Sequence, residues 1–421
     1  MILKGGLTML RLFKVVSRNK LFYIFAFLII LMFPSTLYMQ SNKDLTIIIT
    51  TIGIDKEDDE IKLSALAVVP KGGNDISANL EVFEGSGDTI SSALQNIANS
   101  TGKDIGLAHC DCIALSLSAM QDNVTEYLDY FIRSANLTTN ASLIATDGKA
   151  SDLLSATKSS NNLLDLSLRN IVQFKEERSL LESINIEKFY RQYFTESSTF
   201  YMPILSTEDN NSSKSSGESS SSQETQESQG SGGGAGQGEK KISDKDQIAV
   251  ISKGKFERTL NEEERFIYGL LSSTTKYMKI VIDNISDESV NSSKETFEQV
   301  NKLVIPKYSF VGDTPTATYS VILNLRIDEV NGENFSYASI DGLHNYLTDT
   351  AKSEIEKQVQ DKLKITIEKM KEKDTDILNL YTKFNAFKHN KWTKYLKSLD
   401  NPTDYLDGID IKIKLTLLNV V

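Results

Sequence analysis

His109, Cys110, Asp111 and Cys112 stand side by side, the one short cluster in this sequence with metal-ligand residue types. A zinc site needs three or four such groups converging at about 2.0–2.3 Å from the ion. The surrounding run, Ala108 to Leu115, is apolar and is predicted as a strand, on which successive side chains alternate between faces. Cys110 and Cys112 would then share one face, and His109 and Asp111 the other. Four ligands divided in this way cannot close on one ion, and the i, i+2 spacing is poor for a disulfide. Both cysteines are therefore expected to be buried packing residues, reduced and without metal.

Nothing else supplies catalytic machinery. His344 and His389 lie outside any H-E-x-x-H spacing, and no G-x-S-x-G elbow or cysteine-protease signature occurs. Acidic neighbours such as Asp58 with Asp59, Glu176 with Glu177 and Asp374 with Asp376 read as solvated turns and faces, because a glycosidase pair is defined in space. The glycines near residues 230 to 238 lack the strand, helix and Lys-Ser/Thr of a phosphate loop. The expectation is a non-enzymatic chain without catalytic, cofactor-binding or metal residues.

With 421 residues, 40% hydrophobic and 24% charged, the chain has room for two or three soluble domains and excludes a polytopic membrane protein. A net charge of −11 disfavours nucleic acid, and no basic stripe is recognised outside the first twenty residues. Two cysteines cannot frame a disulfide-held fold.

From Leu21 to Tyr38 the sequence is uncharged and apolar, with Phe25, Leu28, Ile30 and Phe33 along it. That run is close to the shortest able to cross a bilayer as a helix. Lys4, Arg11, Lys14, Arg18 and Lys20 precede it without an acidic residue. The positive-inside rule then puts residues 1–20 in the cytoplasm, 21–38 in the membrane and everything beyond about 42 outside. A cleaved signal peptide is the rival reading, disfavoured by bulky residues at Leu37, Tyr38 and Met39 where small ones are wanted.

Beyond the anchor the predicted class is α+β, with mixed or antiparallel sheets packed by helices. An N-terminal domain is expected over 43–206, a Ser/Gly-rich linker over 207–245, and a C-terminal domain over 246–421. In the first domain, Leu45–Ile54 and Ile61–Val69 flank an acidic turn as a hairpin. A helix follows over Thr89–Ala98, then the cysteine strand and a helix over Val124–Ser134 with Leu128, Phe131 and Ile132 on one stripe. Ala141–Ala145 reads as a strand, and Leu163–Tyr193 is mostly helical in pattern.

In the second domain, Ile248–Phe256 reads as a strand, and Asn261 caps a helix to Leu271 with Glu262, Glu263 and Glu264 at its positive end. Tyr319–Ile327 and Ile409–Leu417 alternate as one-sided strands, and 341–371 is the longest helix, striped by Ile355, Val359, Leu363, Ile367 and Met370. Phe384 to Tyr395 concentrates aromatic residues, including Trp392, the only tryptophan. Core packing is one reading of them; the other is a partner contact through Phe387, Trp392 and Tyr395.

Several stretches resemble the Ger(x)C family, the C subunits of nutrient germinant receptors of endospore-forming bacteria. Ile52-Gly53-Ile54-Asp55-Lys56 leading to Leu63–Pro70 is similar to the family's opening hairpin, and Ala108-His109 to its Ala-His entry to a strand. Leu128–Arg133 also fits, as does Gly254-Lys255-Phe256 before Leu260–Glu264. Asp376-Ile377-Leu378, Trp392 and the terminal strand follow in family order. The resemblance implies an accessory subunit assembled with polytopic A-like and B-like partners in the spore inner membrane. In one respect the chain departs from the family: with no cysteine before Cys110, it has none to carry an N-terminal lipid, so the apolar segment is expected to be the tether. A general envelope interaction protein and a surface hydrolase remain the alternative readings.

Overall fold

The computed structural model describes residues 27–28, 46–70, 78–134, 137–159, 168–178, 184–194, 198–209, 240–272, 275–286, 291–331 and 347–419. Of the predicted anchor only Phe27 and Leu28 fall among them, helical and exposed; the rest of 21–38 lies outside the described residues. Among the described residues no helix is long and apolar enough to cross a membrane.

The chain opens with the expected hairpin. β1 (Thr46–Glu57) turns at Asp58 and Asp59, and β2 (Glu60–Pro70) returns antiparallel to it. β3 (Ala78–Gly87) pairs outside β2. Helix α1 (Ile90–Thr101) starts at Thr89, whose hydroxyl accepts from Ser92 N, and stops at left-handed Gly102. It crosses to β4 (Asp104–Gly106) and β5 (Cys112–Ser116), both parallel to β1.

Helix α2 (Val124–Arg133) leads to β6 (Ser142–Thr146), and α3 (Ala150–Ser159), α4 (Leu168–Arg178) and α5 (Ile186–Tyr193) lead to β7 (Thr199–Asp209). β6 and β7 continue the parallel run, and β8 (Lys240–Ser252) and β9 (Lys255–Thr259) close the sheet antiparallel. The strand order is β3-β2-β1-β5-β6-β7-β8-β9, with β4 beside β1.

Parallel strands covered on both faces should be apolar throughout, and every residue of β5 and β6 is buried. One face packs Ile113, Leu115 and Leu143 against α1, α2 and α5; the other packs Ala114 and Ile144 against α3 and α4. The Ile52-Gly53-Ile54-Asp55 motif has a physical reason here. A Cβ on Gly53 would sit 2.4 Å from Ser64 Oγ and 3.0 Å from Ala150 Cβ, so only glycine lets α3 approach β1. The buried Asp55 carboxylate accepts from Ala150 N at 2.8 Å and Ser151 N at 3.0 Å, capping that same helix.

A second sheet follows α6 (Glu262–Leu271): β10 (Lys279–Ser286), β11 (Asn291–Val311) and β12 (Thr314–Asn331) are antiparallel neighbours, and the terminal β13 (Asp410–Asn419) pairs parallel to β12. α6, α7 (Asp349–Glu372) and α8 (Leu380–Lys397) cover its inner face, where Ile355, Val359, Leu363 and Met370 of α7 are buried as the stripe requires.

Four expectations need correction. Helix α7 begins at Asp349, because Thr348 is its cap and accepts from Ala351 N at 3.1 Å; residues 341–346 lie outside those described. Ile132 is exposed, and Tyr127 takes its place on the buried stripe of α2. The strand expected over Ile248–Phe256 is two strands, reversing at Lys253 and Gly254, both with positive φ. Leu163–Tyr193 is mostly helical where it is described, as expected, in α4 and α5, with residues 163–167 and 179–183 outside the described set. The bounds 207 and 245 fall inside paired strands, with Thr207 opposite Ile242 and Asp209 opposite Lys240. The Ser/Gly segment thus links neighbouring strands of one sheet, and residues 246–259 belong to the first sheet.

The two sheets meet where β9 hands over to α6. Arg258 forks onto the fully buried Glu264, with Nη1–Oε2 and Nη2–Oε1 both at 2.6 Å. Glu264 Oε2 also accepts from Asn261 N at 3.1 Å, while Asn261 Oδ1 accepts from Glu264 N at 2.8 Å. Replacing Glu264 by Ala strands a largely buried guanidinium and opens the capping box. We expect Glu264→Ala to cost about 3–5 kcal/mol in chemical denaturation of the full chain, and a loss under about 1 kcal/mol would show the junction to be dispensable.

Candidate interaction surface

The cysteine cluster is not arranged as an unbroken strand would have it. β5 starts at Cys112, and the preceding residues turn, with Cys110 N donating to Leu107 O at 3.0 Å. The turn sends the two thiols to opposite faces, which corrects the expectation that they share one: Cys110 joins the core under α1 and α2, and Cys112 the core under α3 and α4. His109 is exposed and Asp111 half-buried. Burial pushes the Cys110 thiol up to about 12 and raises that of Cys112 as well, so neither forms a thiolate near neutrality. Among the described residues no group of three or more His, Cys, Asp or Glu side chains is placed to hold a metal ion.

The aromatic stretch is built on α8. Phe384 and Trp392 stack at 5.1 Å and Trp392 and Tyr395 at 5.3 Å, while Tyr381 and Tyr405 meet the indole edge-on. Beneath this stack lies Asp376, 2% exposed. Its Oδ2 accepts from Tyr381 N at 2.8 Å and from Tyr405 Oη at 3.0 Å, and its backbone carbonyl accepts from Tyr201 Oη of β7 at 3.5 Å. Asn379 occupies the N-cap position of α8 in a left-handed conformation and makes no capping bond, so Asp376 takes over that role. Burial raises the Asp376 carboxyl above its usual range, against the pull of the hydrogen bonds it accepts. Beside it, Tyr268, Tyr308, Tyr319, Asn379 and Lys383 line a cavity of about 250 Å³.

The three aromatic residues singled out for partner contact differ in their placement. Trp392 is wholly buried, and Tyr395 is half-buried with its hydroxyl donating to Tyr405 O at 2.9 Å. Phe387 is 65% exposed, so it alone of the three offers its ring to a partner. Its position follows from a kink: Lys388 has φ −139° and ψ 34°, outside helical values, and Phe387 stacks flat on Tyr308 at 5.6 Å.

On the same helix Lys383, Lys388, Lys391, Lys394 and Lys397 are all exposed, with no Asp or Glu in its 18 residues. Among the described residues, none of these lysines is within ion-pair distance of a carboxylate, and Lys391 Nζ lies 5.8 Å from the Phe310 ring centroid. Sequence reading recognised no basic stripe here. The signal is the unbroken sign of Lys383, Lys388, Lys391, Lys394 and Lys397, masked by the aromatic residues interleaved with them.

A nine-stranded mixed sheet with helices on both faces, joined to a four-stranded sheet with helices on one, defines a two-sheet α+β protein. Residues 43–207 match the spore germination protein N-terminal domain, and residues 246–417 match the spore germination B3/GerAC-like C-terminal domain. The chain belongs to the Ger(x)C family of germinant receptor C subunits. Among solved structures, one described as the crystal structure of the GerBC protein is 16% identical with a TM-score of 0.46, the match covering 88% of this chain and 97% of that one. Comparison with curated proteins gave no match.

Two tests follow from the buried groups. Cys110 and Cys112 should resist a maleimide in the folded chain and both react once it is unfolded, and replacing either by Ala should cost about 1–3 kcal/mol. Rapid native labelling of either thiol would contradict the packing described. For Asp376 the sign is set by its raised folded value. The stability it contributes is complete below the ordinary carboxyl value of 3.8 and declines as pH rises through the folded value. Asp376→Asn should therefore flatten part of the fall in unfolding free energy as pH rises above the ordinary carboxyl range, and parallel curves for the two proteins would refute this.

Proposed function

We propose that this chain is a membrane-tethered, non-catalytic subunit of a nutrient germinant receptor, whose ectodomain serves as a scaffold or binding surface for polytopic A-like and B-like subunits. The observation that carries this reading is the pair of spore-germination domain matches, in order, over 43–207 and 246–417. The uncharged run from Leu21 to Tyr38 behind a basic N-terminus supports the tether, with the ectodomain on the outer side of the spore inner membrane.

The test is topological and biochemical. Protease added to intact protoplasts expressing the chain should digest the ectodomain and leave a small membrane-embedded fragment, and a tagged chain should copurify with a polytopic subunit from detergent-solubilised spore membranes. An ectodomain left intact by the protease would reverse the orientation. Recovery of the chain without any polytopic partner would remove the receptor assignment.

A further inference from the structure

We propose that the cavity between α6, β11 and the start of α8 is a ligand site that takes a small organic carboxylate, with its apolar body among the rings of Tyr268, Tyr308 and Tyr319 and its carboxylate at Lys383 and Asn379. Such a ligand goes beyond the subunit reading above, which gives the ectodomain partners in the membrane and no small molecule.

The cavity lies on the seam between the two sheets, where concave gaps commonly hold small ligands. Tyr268 of α6, one wall, packs on Tyr201 of β7 with ring centroids 4.9 Å apart. Another wall, Ile377 to Asn379, directly follows Asp376, whose carbonyl accepts from the hydroxyl of the same Tyr201 at 3.5 Å. Val304 and Tyr308 of β11 and Tyr319 of β12 form the floor, on the face of the second sheet that the helices cover. At about 250 Å³ the space exceeds the roughly 150 Å³ in which a benzene ring is held, so a ring or a branched chain bearing a carboxylate fits.

The polar groups select an anion. Lys383 is the single charged residue of the lining, which holds no Asp or Glu, and its exposed ammonium has no carboxylate partner among the described residues. Asn379 is half-buried and left-handed at φ 54°, and its side-chain amide makes no capping bond because Asp376 caps α8 instead. The hydroxyls of Tyr308 and Tyr319 bond to one another, which occupies one phenolic proton and leaves the other for a ligand. Burial raises both phenols, so both remain donors well past neutrality. An ammonium, a carboxamide and a phenol therefore share one small cavity. A carboxylate can accept from all three, whereas an amine would face Lys383 with no counter-charge in the lining.

The rest of the lining, including Leu271, Val304, Ile377 and Leu378, is apolar. Burying a hydrocarbon there supplies affinity, and the donors set the orientation. Two further charges bear on the site from outside the lining. Lys302, two residues before Val304 on the same face of β11, donates to Gly269 O of α6 at 2.6 Å, beside Tyr268. Burial pushes its pKa down to about 8, which still leaves it positive at neutral pH. Asp376 adjoins Ile377 and opposes an anion, but its Oδ2 is turned to Tyr381 N and Tyr405 Oη, and burial holds its carboxyl above the usual range.

The test uses the full chain in phosphatidylcholine nanodiscs and a pentanoate bearing a diazirine, which cross-links on irradiation. Mass spectrometry should find the label on the cavity, around Tyr268, Tyr308 and Leu378. Phenylpropionate should suppress that label, and phenylpropylamine should not. Lys383→Gln should raise the half-saturating concentration about tenfold, the loss of one charge-assisted hydrogen bond, at an unchanged thermal melt. Leu378→Trp, which fills part of the cavity, should remove the label. Label suppressed equally by acid and amine, scattered over the surface, or retained in Leu378→Trp overturns the site. If Leu378→Trp fails to fold, Lys383→Gln decides, because its side chain is exposed and unpaired: an unchanged half-saturating concentration overturns the carboxylate assignment. A chain that copurifies with a polytopic subunit yet takes no label loses the ligand site alone, and one that takes the label without such a partner keeps the site and loses the subunit reading.

Discussion

The structure depends on a buried ion pair held at a covalent corner. Arg258 ends the first sheet and Glu264 opens the helix that founds the second core, six residues apart. A carboxylate with 0% exposure cannot be left unpaired at modest cost, so the guanidinium fork and the capping box stand or fall together. Pairs of this kind add less to stability than their geometry suggests, because desolvation offsets most of the attraction. What they do impose is a single way for β9 and α6 to meet. The hydrogen bond from Tyr201 to the Asp376 backbone repeats that arrangement at the far end of α7, and both contacts lie inside or beside one continuous hydrophobic core.

Periodicity made much of this legible. The opening hairpin, the α7 stripe, the Asn261 cap and the alternation of β12 and β13 all follow from residues that repeat every 3.6 or every two positions. The places where reading fell short share a physical cause. Ala108 to Leu115 is apolar enough for a strand, but a turn through Leu107 to Cys110 costs nothing in burial, since Cys110 and Cys112 find separate cores. The Lys253-Gly254 reversal is carried by backbone conformation rather than hydrophobicity, and only the glycine signalled it.

The domain boundary was harder to see for a related reason. A Ser/Gly-rich stretch marks where no core can form, and it was natural to place the joint between domains there. The pairing of β7 with β8 shows instead that the stretch is an insertion within one sheet, because strand pairing is decided by partners and not by the composition of the connection. The real joint, at β9 and α6, is short, polar and charged, and reads in sequence as an ordinary helix start.

The two polar contacts at the joint, Arg258 with Glu264 and Tyr201 with the Asp376 carbonyl, tie the first sheet to the second. The consequence reaches the surface. In α8 the ring of Trp392 and the carboxylate of Asp376 fix the inner side of the helix, and Tyr308 under Phe387 fixes the outer side. Each contact links α8 to a different element: β11 through Tyr308, the Pro402–Gly408 turn through Tyr405, and β7 through the Asp376 carbonyl. The lysines of α8 stand on a helix held by the core on its inner side, in a chain whose net charge has the opposite sign, and charge displayed in that way favours an anionic partner over a cationic one.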